Sequence, residues 1–185
     1  MAENDSLRIQ GLAKRASQGD PDAFSDIVKA LMNDVMALTY KMTGDRETAR
    51  DLTQESFIAA WENIASFRAE SRFETWLYRI AVNKALGLLQ KKKAVSIEDV
   101  DQSLEQSGET PDENLSRAEL RGLILEFMQR LPEQQRLAFE LRFYRQLSFE
   151  EIAEVTGKAL GTVKTNYRES IKKLREFADE KGLRP

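Results

Sequence analysis

The chain has 185 residues, of which 41% are hydrophobic and 32% charged, and a formal net charge of −3. This composition predicts a highly helical globular protein and argues against a disordered or fibrous one. The sequence contains no cysteine and no histidine, which excludes disulfides, Cys/His zinc sites, thiolate nucleophiles and histidine general bases. We therefore expect no metal and no cofactor.

The amino terminus reads MAENDSLRIQ and has neither the basic start nor the apolar stretch of a signal peptide. No apolar run elsewhere is long enough to cross a bilayer. The sequence thus predicts a cytoplasmic protein without membrane insertion.

Charge is distributed unevenly along the chain. Residues 94–117 hold seven acidic side chains against one arginine, whereas residues 118–185 hold 13 basic and 11 acidic side chains. Positive charge is therefore concentrated at Lys91–Lys93 and in the last quarter of the chain.

Residues 94–115, AVSIEDVDQSLEQSGETPDENL, lack helical periodicity and are rich in Ser, Asp, Glu and Gln. Such a segment is typical of a linker, and a loop of this length inside one compact domain would be unusual. No strand-like alternation occurs anywhere. The predicted fold is all-α, with two small helical domains at 1–93 and 116–185 joined by a flexible acidic linker over 94–115.

Four helices are predicted before the linker. The first covers residues 6–17, and the second covers 22–43, where apolar residues recur every three or four positions. The third covers 46–65, with Trp61 and Ile64 on its buried face. Ser71-x-x-Glu74 is a capping box that predicts a fourth helix to about residue 89, with Trp76 in the core.

After the linker, helices are predicted at 116–130, from Pro132 to about 145, at 148–156 and from about 161. Ser148-x-x-Glu151 is a second capping box. Ala153, Gly157 and Val163 have the spacing of a helix-turn-helix, which needs a small residue at the helix crossing, glycine in the turn and an apolar anchor.

The polar face of the last helix has the side chains that contact base edges and phosphates in a major groove. A charged, solvated surface helix is the simpler interpretation of any lysine-rich face, but the helix-turn-helix spacing favours DNA binding. The predicted −35 contacts are Lys158, Thr162, Lys164, Thr165, Arg168, Glu169 and Lys172.

The outer face of helix 46–65 carries an acidic line interrupted by an apolar residue. By spacing alone this is more often a solvated face than a docking surface for a basic partner helix. Its candidate docking residues are Asp51, Gln54, Glu55 and Ile58.

The amino-acid sequences of several of these segments resemble those of one protein family. LPEQQRLAFELRFYRQLSFEEIAEVTGKALGTVKTNYRESIKKLR, residues 131–175, is similar to region 4 of bacterial RNA polymerase sigma factors. DLTQESFIAAW, residues 51–61, resembles region 2.2, and SFRAESRFETWLYRIAVNKA, residues 66–85, resembles regions 2.3 and 2.4. The order and the compact length resemble an extracytoplasmic-function (ECF) sigma factor.

The resemblance implies a non-enzymatic promoter-specificity subunit that binds the β′ clamp helices and the β flap of core polymerase and reads −35 and −10 promoter DNA. It also implies an anti-sigma factor as regulator. A flipped −10 base needs stacking and hydrogen-bonding groups, and its backbone needs cations. The predicted −10 contacts are Phe67, Arg68, Arg72, Arg79, Asn83 and Lys84.

Two positions depart from the family pattern. Gly87 stands where members often have aspartate, and Glu169 stands where many have arginine. A carboxylate there would either repel phosphate or accept a hydrogen bond from a cytosine amino group, so an altered −35 preference is expected. The alternative from another class is an autonomous helix-turn-helix regulator that does not bind polymerase.

Overall fold

The computed structural model describes residues 2–95 and 115–183. In these ranges the chain forms α-helices and short 3₁₀ and π segments, and no strand. Residues 2–95 are called the first unit and residues 115–183 the second unit. The all-α prediction is confirmed, whereas most of the predicted linker, residues 96–114, lies outside the described residues.

The first unit contains four helices: α1 (Ala2–Ser17), α2 (Pro21–Thr43), α3 (Arg46–Glu62) and α4 (Phe73–Val95). Polar caps set the boundaries of α2 and α3. Asp20 accepts a hydrogen bond from Ala23 N at 3.0 Å, and Asp45 accepts one from Thr48 N at 2.7 Å. Gly44 ends α2 in the left-handed conformation at φ 73°, which costs glycine little.

The core of the first unit lies between α1, α2, α3 and α4. Two buried hydroxyls also join α2 to α3, because Thr39 and Thr53 lie 3.0 Å apart and each bonds a backbone carbonyl. Trp76 is buried as predicted. The larger apolar side chains buried here include Ile27, Leu31, Val35, Leu38, Leu52, Phe57, Leu77 and Val82.

The second unit contains α5 (Leu115–Arg130), α6 (Glu133–Phe139), a π-helical segment (Glu140–Tyr144), α7 (Phe149–Thr156) and α8 (Leu160–Glu180). An aromatic cluster packs α5, α6 and α8 together, with the Phe127 ring 5.3 Å from Phe139 and 5.7 Å from Phe177.

Several local predictions differ from the structure. The first helix begins at Ala2, and α4 begins at Phe73, so Ser71 does not take the capping position. Instead Gln10 of α1 accepts the N–H of Phe73 at 3.0 Å. Trp61, predicted to be buried, is 39% exposed at the rim of the core.

The two units pack against each other. Helix α4 contacts α7, and α2 contacts α6. Leu137, Leu141, Ile152 and Val155 of the second unit join the same hydrophobic cluster as the core of the first unit. The structure is therefore closed, with both units sharing one apolar interface.

Candidate nucleic-acid and protein interfaces

The helix-turn-helix consists of α7, the turn at Gly157 and α8. Ser148 caps α7 in a complete capping box: its hydroxyl accepts from Glu151 N at 3.1 Å, and the Glu151 carboxylate accepts from Ser148 N at 2.7 Å. Gly157 adopts the left-handed conformation at φ 64°. Val163 is 2% exposed and anchors α8 in the core, so the predicted geometry is present.

The amino-terminal part of α8 and the turn before it present an open polar surface, called the reading face. No side chain caps the start of α8 at Ala159, which leaves first-turn N–H groups without a side-chain acceptor and favours an anion. Among the described residues, none of its basic side chains has an ion-pair partner. Its exposed members are Lys158, Thr162, Lys164, Thr165, Arg168 and Lys172, and Glu169 is half-buried beside them.

A shallow groove adjoins the reading face and is lined in part by its side chains. The ring of Phe149 from α7 packs edge-on against Tyr167 at 5.5 Å, and both line the groove with Ile171. Lys164 and Arg168 stand on its wall. The reading face therefore stands beside packed aromatic and apolar side chains.

The predicted docking residues lie together on the outer surface of α3 and are called the docking face. Asp51, Gln54, Glu55 and Ile58 are all exposed, and Ile58 is 58% exposed. An apolar side chain surrounded by carboxyl and amide groups has the character of a protein contact site with a polar rim.

The predicted −10 residues occupy three environments. Phe67 is half-buried, with its ring 5.3 Å from Phe73 and 5.5 Å from Trp76. Arg68 and Asn83 are exposed. Lys84 bonds Glu55 of the docking face at 3.1 Å, so the docking face and the −10 surface adjoin each other.

Arg72 and Arg79 are engaged by the second unit. The Arg72 Nε donates to Glu151 Oε1 at 2.7 Å, and Arg79 lies 3.9 Å from Glu154. Sequence reasoning missed these pairs because the partners lie on a helix far along the chain.

A buried charged cluster joins α2 to the π-helical segment. Lys41 donates to Glu140 at 2.7 Å, and Arg145 lies 3.3 Å from the other oxygen of Glu140 and also pairs with Asp34. Burial lowers the pKa of Lys41, and Glu140 opposes this effect. Glu140 shares the helical spacing of Leu137, Leu141 and Tyr144. A carboxylate at such an otherwise apolar spacing was the sequence feature that could have indicated a buried charged cluster.

Among residues 2–95 and 115–183, no group of three or more His, Cys, Asp or Glu side chains is arranged as a metal site. Within the same ranges, no helix is both long and apolar enough to cross a membrane.

Two family models match the chain: Sigma-70 region 2 over residues 10–95, and Sigma-70, region 4, over residues 121–174. The ECF RNA polymerase sigma factor SigW of Bacillus subtilis is 33% identical over 180 residues, covering 92% of this chain and 96% of the relative. The ECF RNA polymerase sigma-E factor of Haemophilus influenzae is 36% identical over 191 residues, covering 98% and 97%.

Two solved structures share the fold. The sigma factor RpoE of Bartonella quintana, solved with the anti-sigma factor NepR, has a TM-score of 0.73 at 23% identity and covers 84% of this chain and 96% of its own. CnrH, solved with the cytosolic domain of CnrY, has a TM-score of 0.70 at 21% identity and covers 94% and 98%.

Proposed function

The chain belongs to the ECF sigma factors of RNA polymerase, and we propose that it is the promoter-specificity subunit that directs core polymerase to −35 and −10 elements. The observation that carries this proposal is that one chain contains region 2 followed by region 4. The relatives match nearly the full length, which does not favour the alternative of an autonomous regulator.

The two units divide this work. The predicted domain 116–185 reads −35 duplex through the reading face, whose free cations attract phosphate and whose hydroxyl and guanidinium groups contact base edges. The predicted domain 1–93 binds the β′ clamp helices through the docking face and holds the opened −10 strand. The acidic linker, 94–115, spans between them, and the second unit contacts the β flap.

In the −10 site, the half-buried Phe67 is supported by Phe73 and Trp76, which is how a stacking platform for an unpaired base is held rigid. The exposed Arg68 and Asn83 supply a phosphate contact and a base-edge hydrogen bond. Arg72, Arg79 and Lys84 add positive charge once their present partners are displaced.

The protein performs no chemistry of its own, because the polymerase supplies the catalytic site. It acts in the cytoplasm, where its template and its polymerase are. The anti-sigma factor bound to Bartonella RpoE supports a regulator of the same class for this chain.

The direct test combines the purified protein with core polymerase and a library of promoter sequences. We expect transcripts that start at positions fixed by shared upstream sequences, and none from core polymerase alone. A protein that forms no complex with core and produces no sequence-dependent starts would contradict the proposal.

The docking face is tested by the double variant Glu55→Gln/Ile58→Ala. Both side chains are exposed, so the fold is retained while core affinity falls by about tenfold or more, as for a contact worth at least ~1.4 kcal/mol. The matched control is Asp5→Asn/Leu7→Ala. It likewise neutralises one carboxylate and truncates one exposed apolar side chain, but on α1, where Leu7 is 69% exposed. Equal losses in the two variants would exclude a specific role for the docking face.

A further inference from the structure

A loop of the first unit, residues 67–72, connects a 3₁₀ turn at Ile64–Ser66 to the start of α4. This segment, called the −10 loop, carries three of the residues expected to contact the opened −10 strand: Phe67, Arg68 and Arg72. Among the described residues, no N–H group of the loop after that of Phe67 donates to a backbone carbonyl. The shape of the loop therefore depends on the side chains that anchor it.

One anchor is the side chain of Gln10, which projects from α1 and spans the end of the −10 loop. Its Oε1 accepts a hydrogen bond from Phe73 N at 3.0 Å, and its Nε2 donates one to Ser71 O at 3.4 Å. Only this orientation of the amide satisfies both groups, because an N–H can only donate and a carbonyl can only accept. A single side chain thus clamps two backbone groups that lie two residues apart.

Gln10 is mounted on a packed helix. Its neighbours Ile9, Leu12 and Ala13 are buried and belong to the core of the first unit. Helix α1 also contacts both α4 and the 3₁₀ turn that precedes the loop. A side chain on such an element holds its partners more precisely than one on another loop would.

The second anchor is the aromatic ring of Phe67 at the other end of the −10 loop. Its centre lies 5.3 Å from the ring of Phe73 and 5.5 Å from that of Trp76. Phe73 therefore takes part in both anchors, through its ring at one end and its N–H at the other. Both anchors belong to the first unit, so they do not depend on the second.

Between the two anchors, Ala69 has a backbone conformation that alanine rarely adopts. Its φ is 57°, in the left-handed region, where the Cβ crowds the following carbonyl oxygen. Such a conformation persists only where the surrounding structure imposes it. The neighbours Arg68 and Glu70 are exposed and have no packing that could impose it. We attribute the constraint to the anchored ends of the loop.

Resting on the proposed function, we propose that Gln10 is a positioning residue for −10 recognition: its amide holds the −10 loop in the strained shape that presents Phe67 and Arg68 to the opened strand, and so sets the base preference there. It acts through Ser71 and Phe73 and not by contact with DNA. Without the clamp, Ala69 relaxes to negative φ, and the loop no longer favours one base over the others.

The first test compares Gln10→Met with Gln18→Met. Methionine has a similar length but makes neither hydrogen bond of the clamp, and Gln18 is an exposed residue just after α1. Each variant is assembled with core polymerase and given a promoter library with randomised −10 and −35 bases.

We expect Gln10→Met to reduce the preference for the best −10 base by about 3- to 10-fold, the net contribution of one hydrogen bond, and to leave the −35 preference unaltered. Gln18→Met should match the wild type in both. A purely structural role lowers transcription from all promoters alike, so a uniform loss, or no loss, in Gln10→Met would overturn the proposal.

The variant Gln10→Glu separates the two hydrogen bonds of the clamp. A carboxylate still accepts from Phe73 N but cannot donate to Ser71 O. We expect it to lose −10 preference as Gln10→Met does, whereas Ser6→Glu, which adds the same charge one turn earlier on α1, should keep it. Wild-type preference in Gln10→Glu would show that Gln10 only caps α4, and would overturn the proposal.

Amide hydrogen exchange in the free protein tests the clamp without polymerase. The N–H of Phe73 has the Gln10 side chain as its acceptor, so we expect it to exchange faster in Gln10→Met than in Gln18→Met and to stay protected in Gln10→Glu. Equal exchange in the two methionine variants would overturn the proposal.

The two proposals fail in different ways. A chain that is no sigma subunit gives no sequence-dependent transcripts with the wild type or any variant, which removes the basis of both proposals even if the exchange of the Phe73 N–H reveals the clamp. A sigma subunit in which Gln10 has no positioning role gives normal transcripts and the wild-type −10 preference in Gln10→Met.

Discussion

At the scale of single residues, Glu151 stabilises both a local helix end and a long-range contact. One of its oxygens completes the cap of α7, and the other binds Arg72, 79 positions away in sequence. The sequence pattern predicted the first role from the spacing Ser148-x-x-Glu151. It could not predict the second, because local spacing carries no information about which surface an exposed carboxylate will meet.

The pKa of Glu151 yields a prediction about pH. Its pKa is lowered in the folded chain from the ordinary value of 4.5, so its stabilising contribution is complete above pH 4.5 and is lost as pH falls through the lower folded value. We expect Glu151→Gln to reduce the free energy of unfolding at pH 7 and to reduce it less below pH 4.5. Urea titrations of both proteins across this range measure the difference, and a pH-independent difference would contradict the assignment.

Arg168 allows a second prediction at this scale. It is exposed on the reading face without an ion-pair partner among the described residues, and Arg175 lies two turns further along the same helix. We expect Arg168→Ala to relax base preference in the −35 element, at about 1–3 kcal/mol for the preferred base. Arg175→Ala should instead weaken all sequences alike and reduce the salt dependence, because it would contact only phosphate.

Binding selections with the two variants measure both effects. A uniform loss of affinity for Arg168→Ala would reassign it to a phosphate contact.

At the scale of elements, the helices were predictable because caps and periodicity act locally. Asp45, Gly44 and the Ser148 box each set a boundary by satisfying or redirecting backbone groups within one turn. The Ser71 box was misplaced because Gln10, from a distant helix, satisfies the N–H of Phe73 instead. The π-helical segment at Glu140–Tyr144 was not predicted, since a single turn of five residues is too short to show a periodicity of its own.

Gly157 allows a prediction about the helix-turn-helix. A Cβ added there meets nothing within 4 Å, but the backbone is at φ 64°. We expect Gly157→Ala to lower the unfolding free energy of the second unit by about 1 kcal/mol through backbone strain alone.

Gly161 is the matched control, since it lies in the first turn of α8 with open space around it and no positive φ. Gly161→Ala should leave stability unchanged or raise it by up to ~1 kcal/mol. Thermal unfolding measures the direction in which each variant changes the unfolding temperature. Equal changes in the two variants would rule out backbone strain at Gly157 as the cause.

At the scale of the whole molecule, the family and the all-α class followed from motifs, whereas the closed arrangement did not. It depends on Lys41 and Glu140, which lie 99 positions apart. The exposure of the docking residues and of most reading-face residues was predictable, because these residues lie on single helices with a regular period. The exposure of Trp61 was not predictable, because its position at the rim of the core depends on how α2 and α3 pack.

Lys41 allows a prediction about this arrangement. Its replacement by glutamine leaves the buried Glu140 without its closest cation, and we expect the free energy of unfolding to fall by about 3 kcal/mol. Lys29→Gln, which removes an exposed pair with Asp26 on the same helix, should cost about 0.5 kcal/mol or less. Urea unfolding compares the two, and similar losses would show that the buried bridge contributes little.

The bridge between Lys41 and Glu140 also limits the exchange of domains between relatives. Sigma regions are joined by linkers, which invites the construction of chimaeras that carry region 4 of one protein on region 2 of another. A chimaera that brings Glu140 without a cation at position 41 would bury a carboxylate that has lost its shortest ion pair and keeps only Arg145 beside it, which would weaken the contact between its units. In this chain, the compatibility of a transplanted region therefore depends also on two positions that lie outside the reading face and the docking face.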